Sequence, residues 1–279
     1  PHLSKIIREL ERDLGCPIFD RTSRGMIPTV RGEEFLRYAK GIMEQEAQLD
    51  KLCSRNKECP REIRLCGPRA SYISSTLKNF LKEDDRLFTT NVRYKETNSK
   101  DVVRLVSSKE FDLGIVRCQV LYEPFFLKMI QDEHLDSKVL WQFSPKVLMS
   151  PSHPLAGKEP LDHLDFSQSV ELLQGDIQYP SFTPENTDCV LPDSDPRHTI
   201  YIYDRGSQYE FLRHLPGAYM WTSPVPYSTL TEAKLIQREC TRPDNVFKDL
   251  LVCRSNYRLS KAETELTQWL GRTISQLSD

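Results

Sequence analysis

The sequence predicts an α/β protein. Two lobes of alternating strand and helix follow a small helix–hairpin unit and one long helix. Three observations predict this. The first residues repeat their apolar side chains on a helical period and then break into two short apolar pieces around a polar turn. A second, longer stretch, residues 30–52, keeps an apolar stripe at helical spacing. From Glu62 onward short apolar runs alternate with helical patterns, the arrangement that builds parallel sheets with right-handed crossovers.

In the opening stretch Leu3, Ile6, Ile7, Leu10 and Leu14 fall on one helical face, with Lys5, Arg8, Glu9, Arg12 and Asp13 opposite. Gly15 stops this helix and Pro17 forbids its continuation. Ile18–Phe19 and Met26–Ile27 then flank Asp20-Arg21-Thr22-Ser23-Arg24-Gly25, which reads as a hairpin tip. Thr29 suits an N-cap with Glu33 behind it, so a helix is expected from Val30 to Leu52. Its apolar face holds Phe35, Leu36, Ala39, Ile42, Met43, Leu49 and Leu52. That face fits either packing on its own domain or a short coiled-coil seam interrupted by Glu46. Residues 54–61 are polar and charged, include Pro60, and read as a hinge.

The lobes follow. Strands are expected at Ile63–Gly67, Thr89–Tyr94 and Phe111–Val116, with helices at Tyr72–Lys82 and Asp101–Ser108 between them. Phe125–Leu127 reads as a further strand. Lys138–Phe143 and Lys146–Met149 carry the chain into a second lobe, continued by Leu161–Leu164 and Val170–Leu173. Residues 174–198, rich in Pro and Asp, read as loops. Tyr201–Tyr203 and Ala218–Trp221 are strands around a helix at Ser207–His214. Asp249–Arg254 returns the chain, and Ala262–Leu277 is a closing amphipathic helix.

The run Leu3-Ser4-Lys5-x-Ile7-x-x-Leu10-Glu11-x-x-Leu14-Gly15-x-x-Ile18-Phe19-x-Arg21, then Pro28-Thr29-x-x-Gly32, resembles the winged helix-turn-helix of LysR-type transcriptional regulators. Ser152-His153-Pro154-Leu155-Ala156 resembles a turn in their effector domains. The likeness covers nearly the whole chain, tightly before residue 53 and loosely after it. It implies a fold of two Rossmann-like lobes, of the type II periplasmic-binding-protein kind, behind a partial winged helix-turn-helix and a linker helix that pairs subunits. The domains are then residues 1–29 (recognition helix and wing), 30–53 (linker helix), 54–61 (hinge), 62–143 (first lobe), 144–243 (second lobe) and 244–279 (return to the first). The resemblance implies a cytoplasmic regulator, homodimeric or homotetrameric, that binds double-stranded operator DNA under control of a small effector. Opening at Pro1 inside the recognition helix, the chain is expected to be part of a longer parent and to bind DNA poorly by itself.

A recognition helix offers its N-terminal residues to base edges, here His2, Ser4, Lys5 and Arg8. Arg21, Thr22 and Arg24 on the wing suit phosphates, which position without specifying. In open α/β sheets ligands sit beyond the carboxyl ends of strands, near helix N-termini. That places Arg69, Ser71, Thr97, Arg117, Tyr203, Asp204 and Thr222 around an interlobe cleft. Either Arg69 or Arg117 could pair with a carboxylate or phosphate, so the effector is expected to be anionic or zwitterionic. Ser71 and Thr97 could equally be N-caps, Arg117 could pair with a local acid, and Asp204 could cap its own helix.

With 38 basic and 40 acidic residues the net charge is −2, so any DNA contact must be local. No run reaches the roughly 18 apolar residues of a membrane helix. The eight cysteines form no Cys-x-x-Cys pair and the six histidines show no metal-ligand spacing. Phosphate-loop, zinc-protease and nucleophile-elbow motifs are missing. Neither cofactor, metal nor catalysis is expected. The competing reading is a solute-binding protein that uses the cleft and no DNA, against which the wing and long helix argue.

Overall fold

In a computed structural model the described residues are 2–22, 25–53, 61–83, 88, 90–176, 198–241 and 246–278, without the side chains of 2–6, 8, 21, 22, 46–53 and 61. The chain divides into two compact units, Pro1–Cys59 and Pro60–Asp279.

The first unit opens with α1 (His2–Leu14). Gly15 ends it at φ +69°, a left-handed conformation that costs glycine little. Strands β1 (Phe19–Thr22) and β2 (Gly25–Pro28) pair antiparallel, Phe19 opposite Pro28 and Thr22 opposite Gly25. Helix α2 (Val30–Cys53) follows. One Glu11 carboxylate oxygen, on α1, accepts from the backbone N–H of Ile18 (2.8 Å) and Phe19 (3.0 Å), which ties the helix to the first strand. Thr29 joins the hairpin to α2. Its hydroxyl donates to Pro17 O (2.9 Å) and accepts from Gly32 N–H (2.9 Å), an N-cap bond. Ile18 is the buried anchor, while Tyr38, Ile42 and Met43 of α2 lie exposed.

The second unit contains two five-stranded sheets. The first has strand order β4-β3-β5-β12-β6 and the second β11-β7-β10-β8-β9. In the first, β3 (Arg61–Gly67) runs parallel to both β4 (Thr90–Glu96) and β5 (Leu113–Gln119). The returning β12 (Phe247–Arg254) lies antiparallel between β5 and β6 (Leu135–Phe143). Alternate residues face opposite ways along a strand. Ile63, Leu65, Leu113 and Ile115 therefore pack with α3 (Ser71–Lys82) and α8 (Lys261–Ser278) on one face. Cys66, Val116 and Cys118 pack with α4 (Ser99–Ser107) and α5 (Glu123–Asp132) on the other. Burial pushes the thiols of Cys66 and Cys118 up to about 12, which keeps them protonated and inert.

In the second sheet β8 (Val170–Gln174) runs parallel to β9 (Thr199–Ile202) and β10 (Ala218–Thr222). Antiparallel β7 (Lys146–Met149) and β11 (Ile236–Arg238) complete it, and α6 (Arg205–His214) and α7 (Tyr227–Ala233) pack against it. The chain crosses between sheets twice, after β6 and after β11.

Some expectations change. Phe125–Leu127 is not a strand but lies inside α5, with Pro124 in the first turn. Phe126 and Ile130, four residues apart, share its buried face; a three-residue apolar run carries too little periodicity to tell helix from strand. Helix α4 starts at Ser99, because the Asn98 side chain accepts from Asp101 N–H and caps it there. Helix α7 and strand β11 were not anticipated. Of the expected hinge, residues 54–60 lie outside the described residues, as do 177–197 of the expected loop.

His153, in the turn before the second lobe's loops, is 4% exposed and its Nδ1 accepts from Leu155 N–H (3.1 Å). Burial lowers its pKa below the ordinary 6.5. The unfolded chain therefore takes up a proton that the folded one resists. The stability contributed by a neutral His153 is complete above 6.5 and falls as pH drops through the lowered value. Urea unfolding between pH 7 and 5 is expected to show that loss, and His153→Gln to flatten it. Parallel curves for the two proteins would contradict this assignment.

Candidate functional site

The parallel strands of both sheets present their carboxyl ends to one cleft, and the residues just beyond those ends meet across it. Arg69, after β3, donates from Nη1 to Asp176 (2.6 Å) after β8, and from Nη2 to the Tyr203 carbonyl (2.8 Å) after β9. The hydroxyls of Ser71 on α3 and Tyr209 on α6 share a hydrogen bond of 2.7 Å. Arg205 opens α6, donates to the Ser74 hydroxyl (2.8 Å) and lies 2.5 Å from the Glu96 carboxylate at the end of β4. Glu96 also accepts from the Tyr94 hydroxyl (3.0 Å), whose pKa burial raises well above the phenol range.

Of the other anticipated residues, Thr97, Asp204, Thr222 and Arg117 are engaged inside their own lobes. Thr97, 7% exposed, donates to Asp101 (3.3 Å). Asp204 accepts from Ser207 N–H (2.8 Å) as the cap of α6, and the Ser207 backbone bond holds its pKa below the usual carboxylate range. Thr222 accepts from the Gln237 carboxamide (2.7 Å). The Tyr203 side chain is 66% exposed.

Arg117 is spent on a buried acid. Its Nε and Nη2 donate to Asp249 at 2.8 and 2.7 Å, and Asp249 is 0% exposed. The Tyr72 hydroxyl (2.8 Å) and the Trp141 indole N–H (3.2 Å) donate to the same carboxylate. Desolvation pulls the Arg117 pKa down, but the Asp249 charge overrides it and the net shift is upward, so the guanidinium stays charged.

Sequence reasoning missed Asp176, Arg205 and Tyr209. Arg205 carried the usual signal, since it follows a strand and opens a helix. Asp176 and Tyr209 are separated from their partners by 107 and 138 residues, and no local pattern marks such pairs. In the first unit His2, Ser4, Lys5 and Arg8 lie along α1, and Arg21 and Thr22 end β1. Their side chains, and all of Arg24, lie outside the described residues.

A profile of bacterial regulatory helix-turn-helix proteins of the lysR family matches residues 1–33, and one of the LysR substrate binding domain matches residues 86–176. Over these two stretches the chain is similar to LysR-family regulators. Among similar LysR-type sequences is the regulatory protein NocR of Agrobacterium tumefaciens, 25% identical over 169 residues, 59% of this chain and 52% of NocR. Another is the HTH-type transcriptional regulator y4mQ of Sinorhizobium fredii, 32% identical over 134 residues, 40% of this chain and 44% of that protein. The chain spans about half the length of the curated relatives it matches. Full-length OxyR from Pseudomonas aeruginosa shares the fold: the likeness covers 100% of this chain and 86% of that one, with a TM-score of 0.58 at 16% identity. The LysR-type architecture thus comprises a winged helix-turn-helix unit and a two-lobed α/β unit. Among the described residues no helix is long and apolar enough to cross a membrane, and no cluster of three His, Cys, Asp or Glu could hold a metal.

Proposed function

We propose that this chain acts in a cytoplasmic, one-component LysR-type transcription regulator. It grips operator DNA through α1 and the β1–β2 wing, and a small anionic or zwitterionic effector in the cleft sets that grip. The reading is carried by one observation: a chain whose first unit matches the LysR helix-turn-helix profile has a second unit whose parallel strands end at a cleft bearing Arg69 and Arg205.

In this mechanism His2, Ser4, Lys5 and Arg8 meet base edges and phosphates, and Arg21, Thr22 and Arg24 hold the backbone. The exposed Tyr38, Ile42 and Met43 of α2 are the seam of a homodimer, two of which make a tetramer. In the cleft, Arg69 and Ser71 reach the effector directly. Thr97, Tyr203, Asp204 and Thr222 shape the walls, and Arg117 stands behind them on Asp249. Effector binding shifts the population of lobe arrangements, and no covalent step is needed.

Selection of bound sequences from random duplex DNA with the whole protein tests this. A retained sequence is expected, with affinity falling steeply as salt rises because phosphate contacts release counterions. If no duplex is retained at low salt, the protein is a solute receptor instead. Arg69→Ala is expected to weaken effector binding roughly 10- to 100-fold, the worth of a charged hydrogen bond. Unchanged affinity by calorimetry would move the site elsewhere.

A further inference from the structure

Four charged groups face one another across the cleft, and each sheet contributes one of each sign. Arg69 from the first sheet meets Asp176 from the second, and Arg205 from the second meets Glu96 from the first. The side chains are sheltered: Arg69 and Asp176 are 10% and 27% exposed, Arg205 and Glu96 20% and 21%. Asp204 lies close enough to Arg69 to feel its charge, so the cleft carries no excess of positive charge. A pure anion that took Arg69 would leave the Asp176 carboxylate sheltered and without its counter-charge. Breaking such a pair by removing one partner costs as much as the new contact returns. A pure cation faces the mirror-image cost.

Resting on the reading that the cleft takes a small molecule, we propose that its ligand is a zwitterion with a free ammonium and a free carboxylate, of the amino-acid class. It inserts into the cross-cleft pairs, with its carboxylate on Arg69 or Arg205 and its ammonium on Asp176 or Glu96. Every charge then keeps a partner, and the exchange is one ion pair for another. Two further features fit a carboxylate guest. Gln208, 2% exposed and one turn along α6 from Arg205, has an amide nitrogen with no hydrogen-bond partner among the described residues. The Ser71–Tyr209 hydroxyl pair can turn a donor toward the guest. Because the pairs touch directly, insertion also parts the two sheets, which couples occupancy to lobe spacing.

The test is a melting-temperature screen of the whole chain, followed by calorimetry. One arm holds the twenty standard amino acids, a second dicarboxylates such as succinate and 2-oxoglutarate, and a third simple amines. At least one amino acid is expected to bind, its N-acetyl and amide derivatives at least tenfold more weakly. Asp176→Asn and Glu96→Gln, which keep shape and remove charge, are expected to weaken that amino acid tenfold or more. Binding of dicarboxylates or amines without amino acids overturns the zwitterion and leaves the cleft standing. Amino-acid binding that both variants leave unchanged overturns the insertion. Silence in all three arms overturns the inference and the cleft reading together.

Discussion

Asp249→Ala is expected to remove about 3–5 kcal/mol of stability, the cost of leaving one half of a buried ion pair without the other. The carboxylate is 0% exposed and accepts four hydrogen bonds, two from Arg117 and one each from Tyr72 and Trp141. Arg117 is further held over the Phe143 ring, 4.9 Å from its centroid. In a unit of this size such a loss lowers the melting temperature by about 10 °C, which circular dichroism reads directly. The double variant Arg117→Met, Asp249→Leu is expected to recover only part of it: the unpaired buried charge is gone, but the Tyr72 hydroxyl and the Trp141 N–H still lack their acceptor. A loss under about 1 kcal/mol for Asp249→Ala would mean that Arg117 swings free. It would then be available to a ligand, and its place behind the cleft wall would need revision.

Gly32→Ala is expected to cost about 3 kcal/mol, the upper part of the usual range for overpacking a tight site. A Cβ at Gly32 would lie 1.9 Å from the Ile18 carbonyl oxygen and 2.8 Å from its carbon, and a backbone carbonyl cannot turn aside as a side chain can. That carbonyl is also fixed by the Thr29 N–H at 2.9 Å. The substitution therefore forces apart the junction of wing and long helix, and the first unit is expected to become sensitive to proteolysis while the second stays intact. Gly41→Ala in the same helix is the control. A Cβ there meets nothing within 4 Å, so the exchange is expected to stabilise by about 1 kcal/mol through helix propensity. Equal effects at the two positions would refute the steric argument.

Much of the fold was legible in the residues because its signals are local. The 3.6-residue period of Leu3 to Leu14, the Gly15 stop and the Pro-Thr-x-x-Gly of residues 28–32 each act within a turn or two of chain. The last of these became intelligible only in three dimensions: Thr29 caps α2, and Gly32 is required because Ile18 O lies against it. The alternation of strand and helix patterns from Glu62 likewise announced the parallel strands β3, β4 and β5. Where a run was short the signal failed, as at Phe125–Leu127 inside α5.

What the sequence by itself determined is the likeness to LysR-type regulators, the helix–hairpin–helix order of the first unit and most, not all, of the strands and helices of the second. What only the tertiary structure decided is which charges meet. Nothing near Arg69 points to Asp176, nor near Arg117 to Asp249, 132 residues away at a break in the β12–β6 register. An ion pair depends on distance in space and on the water excluded around it, and both are set by how the sheets pack. Residue type announces that a charge exists. The fold decides whether Asp249 buries it, whether Asp176 shares it across the cleft, or whether a ligand can reach it.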